Sequence, residues 1–417
     1  MIKYRPLDGD FSLSVSPGIL HHTIAMQRLA KSAARITGGA HLPRRRLCTV
    51  DFKKLLASGH PACNISSSVV EKVGKRLHLR PNHPLNLVKC KIENYFNAYA
   101  VLSGQETFKL FDDLSPIVDT KSCFDDLLVA EGHVSRRPSD TYYITDDTVL
   151  RTHTSAHQSH LIRSGETAFL CTGDVYRRDE IDSSHYPVFH QMEGVRIFER
   201  GSDKKVVEED LKAVLTGLVH HLFGAVQMRL KADYFPFTEP SFEVEVLFND
   251  KWLEVLGCGV IHDEVMARAG QAGRVGWAFG LGLERLAMIQ FCIPDIRLFW
   301  TDDERFLGQF KGLDAFSSTT FQPYSKYPFC WKDVSFWLPA RGFHKNDLFE
   351  LIRNAAGDIV ERVDLIDEFL NKKTGLTSHA YRIYYRHMDR NLTNAEVDSM
   401  QARIRVDLER ELRVTLR

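Results

Sequence analysis

Between residues 142 and 279 the chain is a succession of short β-rich runs, interrupted by one long amphipathic helix. The runs lie at 142–144, 169–172, 195–198, 242–248, 252–256 and 276–279. Over 208–230 apolar residues recur at helical spacing and share one face. Several short strands with one long helix predict a large, mainly antiparallel sheet flanked by helices, which is an α+β domain.

The regions on either side of these runs have other patterns. A further amphipathic helix is predicted over 83–101. The tail predicts a strand at 333–338, a helix that begins after Asn346 and ends before Gly357, strands at 359–370 and 379–385, a helix at 394–409 and a strand at 412–416. Thr393 is available as the cap of the last helix. The order βαββαβ predicts a ferredoxin-like unit.

The first fifty residues contain eight Lys or Arg residues against Asp8 and Asp10, and the stretch from Met26 is acid-free and amphipathic. This pattern is typical of an organellar transit peptide, with a solvated basic tail as the alternative. The net charge of the whole chain is zero, which argues against nucleic-acid binding by bulk charge alone. No apolar run approaches the ~18 residues of a membrane span. Eight scattered cysteines without a CxxC pair predict buried thiols.

Two segments present arginine where a phosphate can be bound. Residues 173–179 predict a strand that ends in a charged turn, before a returning strand at 188–194. Arg177 in this turn can bind two phosphate oxygens in fixed geometry, and a solvated hairpin with surface ion pairs is the alternative. The segment 276–288 runs through a GxG into a helix that carries Arg285, and free N–H groups at such a helix start favour anions.

These segments, preceded by Pro116 at the start of a strand, resemble in order the three motifs of class II aminoacyl-tRNA synthetases. Their detail is similar to the phenylalanyl-tRNA synthetases in their single-chain organellar form, from about Val70 to the C-terminus. The resemblance implies that Arg177 and Arg285 are catalytic and bear the phosphate charge of ATP. The other ATP-binding residues that it implies are Ser184, His185, Tyr186, Glu254 and Phe279. Phe279 would stack on adenine, and Glu254 would lie beside ATP and its magnesium ion.

The resemblance also implies an amino-acid site. Gln191 and Glu193 are two apart on one strand, so both side chains point to one face, and in the family these positions grip the substrate's amino group. The phenylalanine-binding residues implied are His153, Ser155, Ala156, His157, Gln158, Gln191, Met192, Glu193, Phe235, Phe237 and Ala278. Phe235 and Phe237 would meet the substrate ring over Ala278, whereas an aromatic cluster is more often core. Helix capping by Thr154 or Ser155 is a second interpretation of the segment around them.

The activity implied is that of a phenylalanine–tRNA ligase, which makes phenylalanyl-adenylate from L-phenylalanine and ATP and transfers it to tRNA(Phe). ATP and magnesium are the implied cofactors, and we expect a monomer without membrane contact, located in the mitochondrial matrix or a plastid. A catalytically silent, synthetase-like RNA-binding protein is the alternative, and a class II ligase that makes a free metabolite is a weaker one.

Three domains are predicted: a transit peptide at 1–50, a catalytic domain at 51–323 and an anticodon-binding domain at 324–417. The RNA-contacting residues implied in the last are Lys332, Arg382, Tyr384, Tyr385, Arg386, His387 and Arg390. Since all three motifs precede this tail, its deletion is expected to spare adenylate formation and to impair tRNA charging.

Overall fold

The computed structural model describes residues 59–417, except positions 249, 316, 318, 324–326, 341 and 389. The predicted transit peptide at 1–50 lies outside the described residues. No helix in the described part of the chain is long and apolar enough to cross a membrane.

A large sheet forms the centre of the molecule. The strands up to residue 282 are β1 Lys109–Phe111, β2 Ile117–Asp119, β3 Thr148–Leu150, β4 Ala168–Tyr176, β5 Val188–Ile197, β6 Met228–Phe235, β7 Thr238–Phe248, β8 Lys251–Ile261 and β9 Gly276–Gly282. Among the described residues seven of them pair in the order β1-β4-β5-β9-β8-β7-β6. Every neighbouring pair is antiparallel except β1 and β4, as the succession of short strands predicts. Strands β2 and β3 pair separately, and β2 follows directly on Pro116.

Helices cover both faces of this sheet. They are α1 Ser67–Val70, α2 Pro84–Leu102, α3 Thr120–Cys123, α4 Gln158–Arg163, α5 Lys204–Phe223, α6 Asp263–Arg268, α7 Leu283–Phe291 and α8 Glu304–Leu307. Successive strand residues point to opposite faces. The face under α2, α5 and α7 therefore buries Met192, Trp277 and Phe279, whereas the face under α4 and α6 buries Val195 and Ala278. The first is called the helical face below, and the second the site face.

Two predicted elements differ from the structure. The helix predicted to continue to Leu230 ends at Phe223, because Gly224 takes a φ of +75° that breaks the helical path. Leu230 instead lies in β6. The strand predicted at 142–144 reduces to a single bridge between Tyr143 and Val149, because the chain turns back directly into β3, and the Ile144 N–H already donates to the Thr148 carbonyl.

The tail has the predicted βαββαβ order. Its elements are β10 Cys330–Trp337, α9 Lys345–Ala356, β11 Val360–Leu370, β12 Thr377–Tyr385, α10 Asn394–Asp407 and β13 Thr415–Leu416. The strands pair in the order β11-β12-β10-β13, and α9 and α10 cover one side over a separate apolar core. Thr393 caps α10 and exchanges reciprocal hydrogen bonds with Glu396, which confirms the predicted cap.

Candidate active site

A cavity of about 270 Å³ opens between the β4–β5 loop (residues 177–187), strands β8 and β9, and the start of α7. Its walls include six residues that the sequence analysis assigned to ATP: Arg177, Ser184, His185, Tyr186, Glu254 and Arg285. Phe189, Gln191, Gly280 and Gly282 also line it. The fold therefore brings the second and third sequence segments to one place.

Arg177 lies at the end of β4, on the wall of this cavity. Its Nε donates to the Thr152 carbonyl at 2.8 Å, and its backbone N–H donates to the Pro187 carbonyl across the loop. The guanidinium carbon lies 5.3 Å from the centre of the Phe189 ring, a cation–π distance. These contacts hold the charge in place before any substrate arrives, as a preorganised phosphate site requires.

Arg285 faces the cavity from the first turn of α7. Its Nη1 lies 3.2 Å from the Glu254 carbonyl oxygen and 3.8 Å from the Glu254 carboxylate. Behind it, the Glu284 carboxylate accepts a hydrogen bond from the His190 backbone N–H and lies 2.7 Å from His190 Nδ1. Because Glu284 precedes Arg285 and His190 precedes Gln191, this buried pair fixes the start of α7 against β5.

Glu254 has the character expected of a partial magnesium ligand. Its side chain is 48% exposed, and its one ion pair among the described residues is the 3.8 Å contact with Arg285. Burial raises the pKa of the neighbouring Glu243 carboxyl, and the charge of Glu254 adds to that rise. Within the described residues no three His, Cys, Asp or Glu side chains converge on one point. A half-exposed carboxylate on the wall of the cavity that contains Arg177 and Arg285 fits a magnesium ion held mainly by nucleotide phosphates, which is the usual arrangement for this ion.

The site face beside the cavity has a floor of glycine. Gln191 pairs with Gly282, and Glu193 pairs with Gly280, which in turn pairs with Gly257. Apart from Gly280 and its two chain neighbours, no described residue has an atom within 4 Å of the point that a Cβ on Gly280 would occupy. A hollow next to Glu193 therefore exists because β9 carries no side chain there.

Two aromatic rings border this hollow. The Phe235 ring lies over Gly257, where an added Cβ would come within 2.9 Å of it. Phe237 stacks on Phe235, with ring centres 5.9 Å apart at 15°, and packs against the apolar cluster that contains Ala278. The arrangement is a flat apolar slot that ends at a carboxylate, which is suited to an aromatic amino acid.

Four buried polar atoms near the slot have no hydrogen-bond partner among the described residues: His153 Nδ1, Gln158 Oε1 and both carboxylate oxygens of Glu193. The segment 153–158 that carries the first two packs against β4 and β5. Burial raises the pKa of Glu193 to about 8, and the nearby Ser155 hydroxyl opposes only part of this rise. Unsatisfied buried polar groups are rare in native proteins, so this group indicates a site for a polar, cationic ligand.

The comparisons with known proteins agree with this geometry. A family model described as "tRNA synthetases class II core domain (F)" matches residues 69–310, and one described as "Ferredoxin-fold anticodon binding domain" matches residues 325–417. The chain is 49% identical to a mitochondrial phenylalanine–tRNA ligase of Dictyostelium discoideum, with 88% of this chain and 91% of that protein covered. It is 52% identical to a chloroplastic/mitochondrial phenylalanine–tRNA ligase of Arabidopsis thaliana (86% and 83% covered). It is 49% identical to a mitochondrial one of Mus musculus (81% and 82% covered).

The chain belongs to the phenylalanine–tRNA ligase family. The resemblance drawn from the sequence and the predicted fold class are thereby confirmed. The structure changes several of the site-residue assignments that the resemblance implied.

Phe279 does not reach the cavity of this phenylalanine–tRNA ligase family member. Its ring points to the helical face, is 2% exposed and stacks on Phe96 at 5.1 Å and 10°. This packing contradicts the predicted adenine platform. Met192 is likewise wrong as a phenylalanine contact, because it is fully buried on the helical face. Phe189, which was not predicted, lines the cavity instead. It lies two positions before Gln191 on β5, so the alternation of strand side chains predicts that both point to the same face.

In the segment 153–158, His153 and Gln158 have polar atoms near the slot, whereas Ala156 and His157 support it from behind. The Arg151 guanidinium donates to His157 Nε2 at 2.9 Å, and burial lowers the pKa of His157 to about 3. His157 is therefore a neutral support held by Arg151. Burial and the charge of Arg177 lower the pKa of His153 to about 3, so it offers a neutral ring. Ala156 packs in an apolar cluster with Phe237 at its edge.

The capping interpretation of this segment is wrong. The 3₁₀ turn Thr154–His157 has no side-chain cap hydrogen bond at its start. Helix α4, which follows it, has none either.

The tail presents an aromatic surface on the side of its sheet away from α9 and α10. The Arg382 guanidinium lies 3.9 Å from the centre of the Trp331 ring, and that of Arg362 lies 4.2 Å from the Tyr384 ring. Trp331 and Arg362 were not predicted. Tyr385 was predicted here but is fully buried in the tail core, because it alternates with Tyr384 on β12.

Three other predicted RNA contacts in the tail are cations that pair with carboxylates. Lys332 pairs with Asp398 on α10, and Arg390 pairs with Glu396. Arg386 pairs with Glu361. A carboxylate partner does not by itself exclude a cation from the aromatic surface, because Arg382 pairs with Asp333 and Arg362 with Asp364 in the same way. Arg386 borders that surface, since its guanidinium lies 5.5 Å from the Phe329 ring, which packs on Tyr384.

Proposed function

We propose that this protein joins L-phenylalanine to tRNA(Phe) in two steps, through phenylalanyl-adenylate. The observation that carries the proposal is the position of Gln191. It lines the cavity that contains Arg177 and Arg285, and Glu193 lies two residues farther along the same strand face, about 7 Å away. An amino acid whose ammonium group lies at Glu193 thus has its carboxylate directed to the nucleotide cavity.

In the first step a carboxylate oxygen of phenylalanine attacks the α-phosphorus of ATP, and the bond from that phosphorus to the β-bridging oxygen breaks to release pyrophosphate. Negative charge develops on the phosphate oxygens, and the fixed guanidinium groups of Arg177 and Arg285 stabilise it. Phe189, on the cavity wall, supplies the aromatic face for the adenine. Magnesium, when bound with ATP, neutralises phosphate charge, and Glu254 is the residue that would hold it.

In the second step a ribose hydroxyl of the terminal tRNA adenosine, the 2′-OH, attacks the carbonyl carbon of the adenylate, and AMP leaves. The tail, residues 324–417, binds the anticodon through unstacked bases placed against Trp331 and Tyr384. Support for this comes from the exposed Trp331 ring and from the two guanidinium–aromatic pairs, whose arginines also pair with Asp333 and Asp364.

The protein acts in mitochondria, in agreement with the basic, acid-free segment after Asp10 and with the names of the relatives. A plastid is a second destination where the organism has one, as the name of the plant relative indicates. We further propose that the enzyme works as a monomer, because one chain carries both the catalytic site and the anticodon-binding unit.

Phenylalanine-dependent exchange of radioactive pyrophosphate into ATP tests the proposal. The purified protein should support exchange with phenylalanine and not with leucine. The absence of exchange in a folded protein that still binds tRNA(Phe) would favour the silent, RNA-binding alternative instead.

A further inference from the structure

The β4–β5 loop forms one wall of the nucleotide cavity, through Asp179, Ser184, His185 and Tyr186. Part of its shape is set within the loop. The Asp182 carboxylate accepts from the backbone N–H groups of Ser184 and His185 and lies 2.7 Å from His185 Nδ1. These bonds fix the tip of the loop but not the stretch between Arg177 and Asp182.

At the start of that stretch the Arg178 N–H donates to the Asp140 carbonyl, and the carbonyl groups of the stretch are held by the tail. Arg353, on α9, donates through Nη2 to the Asp179 carbonyl at 2.6 Å and to the Glu180 carbonyl. The Asn346 side chain donates to the Arg178 carbonyl at 3.1 Å. Three successive loop carbonyls therefore accept hydrogen bonds from two buried tail side chains.

The contact continues through the rest of the loop. Ile181 is 6% exposed and packs within the apolar core of the tail, and its carbonyl accepts from the Val363 N–H of β11. The Tyr186 hydroxyl donates to Asp358 at 2.7 Å. The loop thus contacts the tail at residues 178–181 and again at Tyr186, while its other side lines the nucleotide cavity.

We propose that the docked tail holds the β4–β5 loop in its nucleotide-binding shape, with Arg353 as a positioning residue for amino-acid activation. A loop that is ordered beforehand spares ATP the entropic cost of ordering it on binding. The inference rests on the proposed function, and it reverses the expectation from sequence that the tail is dispensable for adenylate formation.

The test uses the full-length protein and pyrophosphate exchange. Arg353→Ala should raise the KM for ATP about tenfold, since it removes two hydrogen bonds from a charged donor, and should change the KM for phenylalanine less than twofold. Arg353→Lys, which keeps the charge, should fall between the Ala variant and wild type. Arg403→Ala is the matched control, because Arg403 is an exposed arginine on the other tail helix, and it should leave the KM for ATP unchanged.

Hydrogen–deuterium exchange provides a second readout. In Arg353→Ala the amides of residues 178–186 should exchange faster, while those of β5 keep their protection. A folded Arg353→Ala protein with wild-type KM for ATP and wild-type loop protection overturns the inference. Should that variant not fold, Asp358→Ala decides, because Asp358 is an exposed tail residue outside the cavity wall and its removal takes away the acceptor of the Tyr186 hydroxyl: a twofold or greater rise in the KM for ATP supports the inference, and a smaller one refutes it. Absence of exchange activity in the wild-type protein would instead refute the proposed function.

Discussion

Replacement of Glu193 by Gln should raise the free energy of unfolding above about pH 5 and should weaken phenylalanine binding. Glu193 is fully buried, and its carboxylate oxygens have no hydrogen-bond partner of normal geometry among the described residues. Burial therefore raises its pKa to about 8 from an ordinary value of 4.5. The folded protein retains a proton here that the unfolded chain releases above pH 4.5.

The magnitude follows from this difference in pKa. Below pH 4.5 the carboxyl group is neutral in both states, so Glu and Gln differ little. From about pH 5 to about pH 8 the wild-type protein loses about 1.4 kcal/mol of unfolding free energy per pH unit relative to the Gln variant. Above pH 8 the carboxyl group is charged in both states, and the difference stays constant.

Phenylalanine binding should show the complementary dependence. Its ammonium group pairs with the charged carboxylate, so at pH 7 binding must expel nearly one proton, and affinity should rise about tenfold per pH unit up to pH 8. In Glu193→Gln affinity should be lower by about a hundredfold or more and no longer depend on pH in this range.

Urea unfolding from pH 4.5 to 8.5 measures the first effect. Calorimetric titration of phenylalanine in two buffers with different ionisation enthalpies measures the proton release. Glu409→Gln is the control, because Glu409 is an exposed carboxylate on the tail, and it should reproduce wild type in both assays. Equal pH dependence of stability in wild type and Glu193→Gln, or binding without proton release at pH 7, would refute the reasoning.

Three further predictions concern the other parts of the site. Arg177→Ala and Arg285→Ala should each lower kcat for pyrophosphate exchange by about 100-fold or more, since one fixed contact to developing charge contributes ~2–4 kcal/mol. Arg200→Ala is the control, because Arg200 is exposed. Near-normal exchange in folded Arg177→Ala or Arg285→Ala would remove the replaced arginine from the mechanism. Ala278→Gly should improve the use of para-substituted phenylalanines in competition assays, because it deletes a methyl group from the slot, and an unchanged preference would mean that Ala278 does not line it. Trp331→Ala should raise the KM for tRNA(Phe) in charging assays about tenfold by removing a stacking face, and a KM within twofold of wild type would contradict the placement of the anticodon there.

The sequence alone determined the local architecture. The succession of short β-rich runs predicted the antiparallel sheet, and the order of strand and helix patterns in the tail predicted βαββαβ, because both depend on residues close in sequence. The alternation of side chains along a strand placed Gln191 and Glu193 on one face. Applied to neighbours, it also excludes Met192 from their face and separates Phe279 from Ala278, so these two errors contradict information that was present in the sequence.

Only the tertiary structure decided which groups each functional side chain contacts. Whether Glu193 has a cation beside it depends on β8, β9 and the segments 153–158 and 235–237, which surround it. The alternation of side chains along β5 carries no information about which groups those segments place there. The hydrogen bonds from Arg353 to the β4–β5 loop join residues more than 170 positions apart in the sequence. Contacts of this kind arise when two separately folded units pack together, and the shape of their surfaces, rather than any local propensity, determines which side chain meets which backbone.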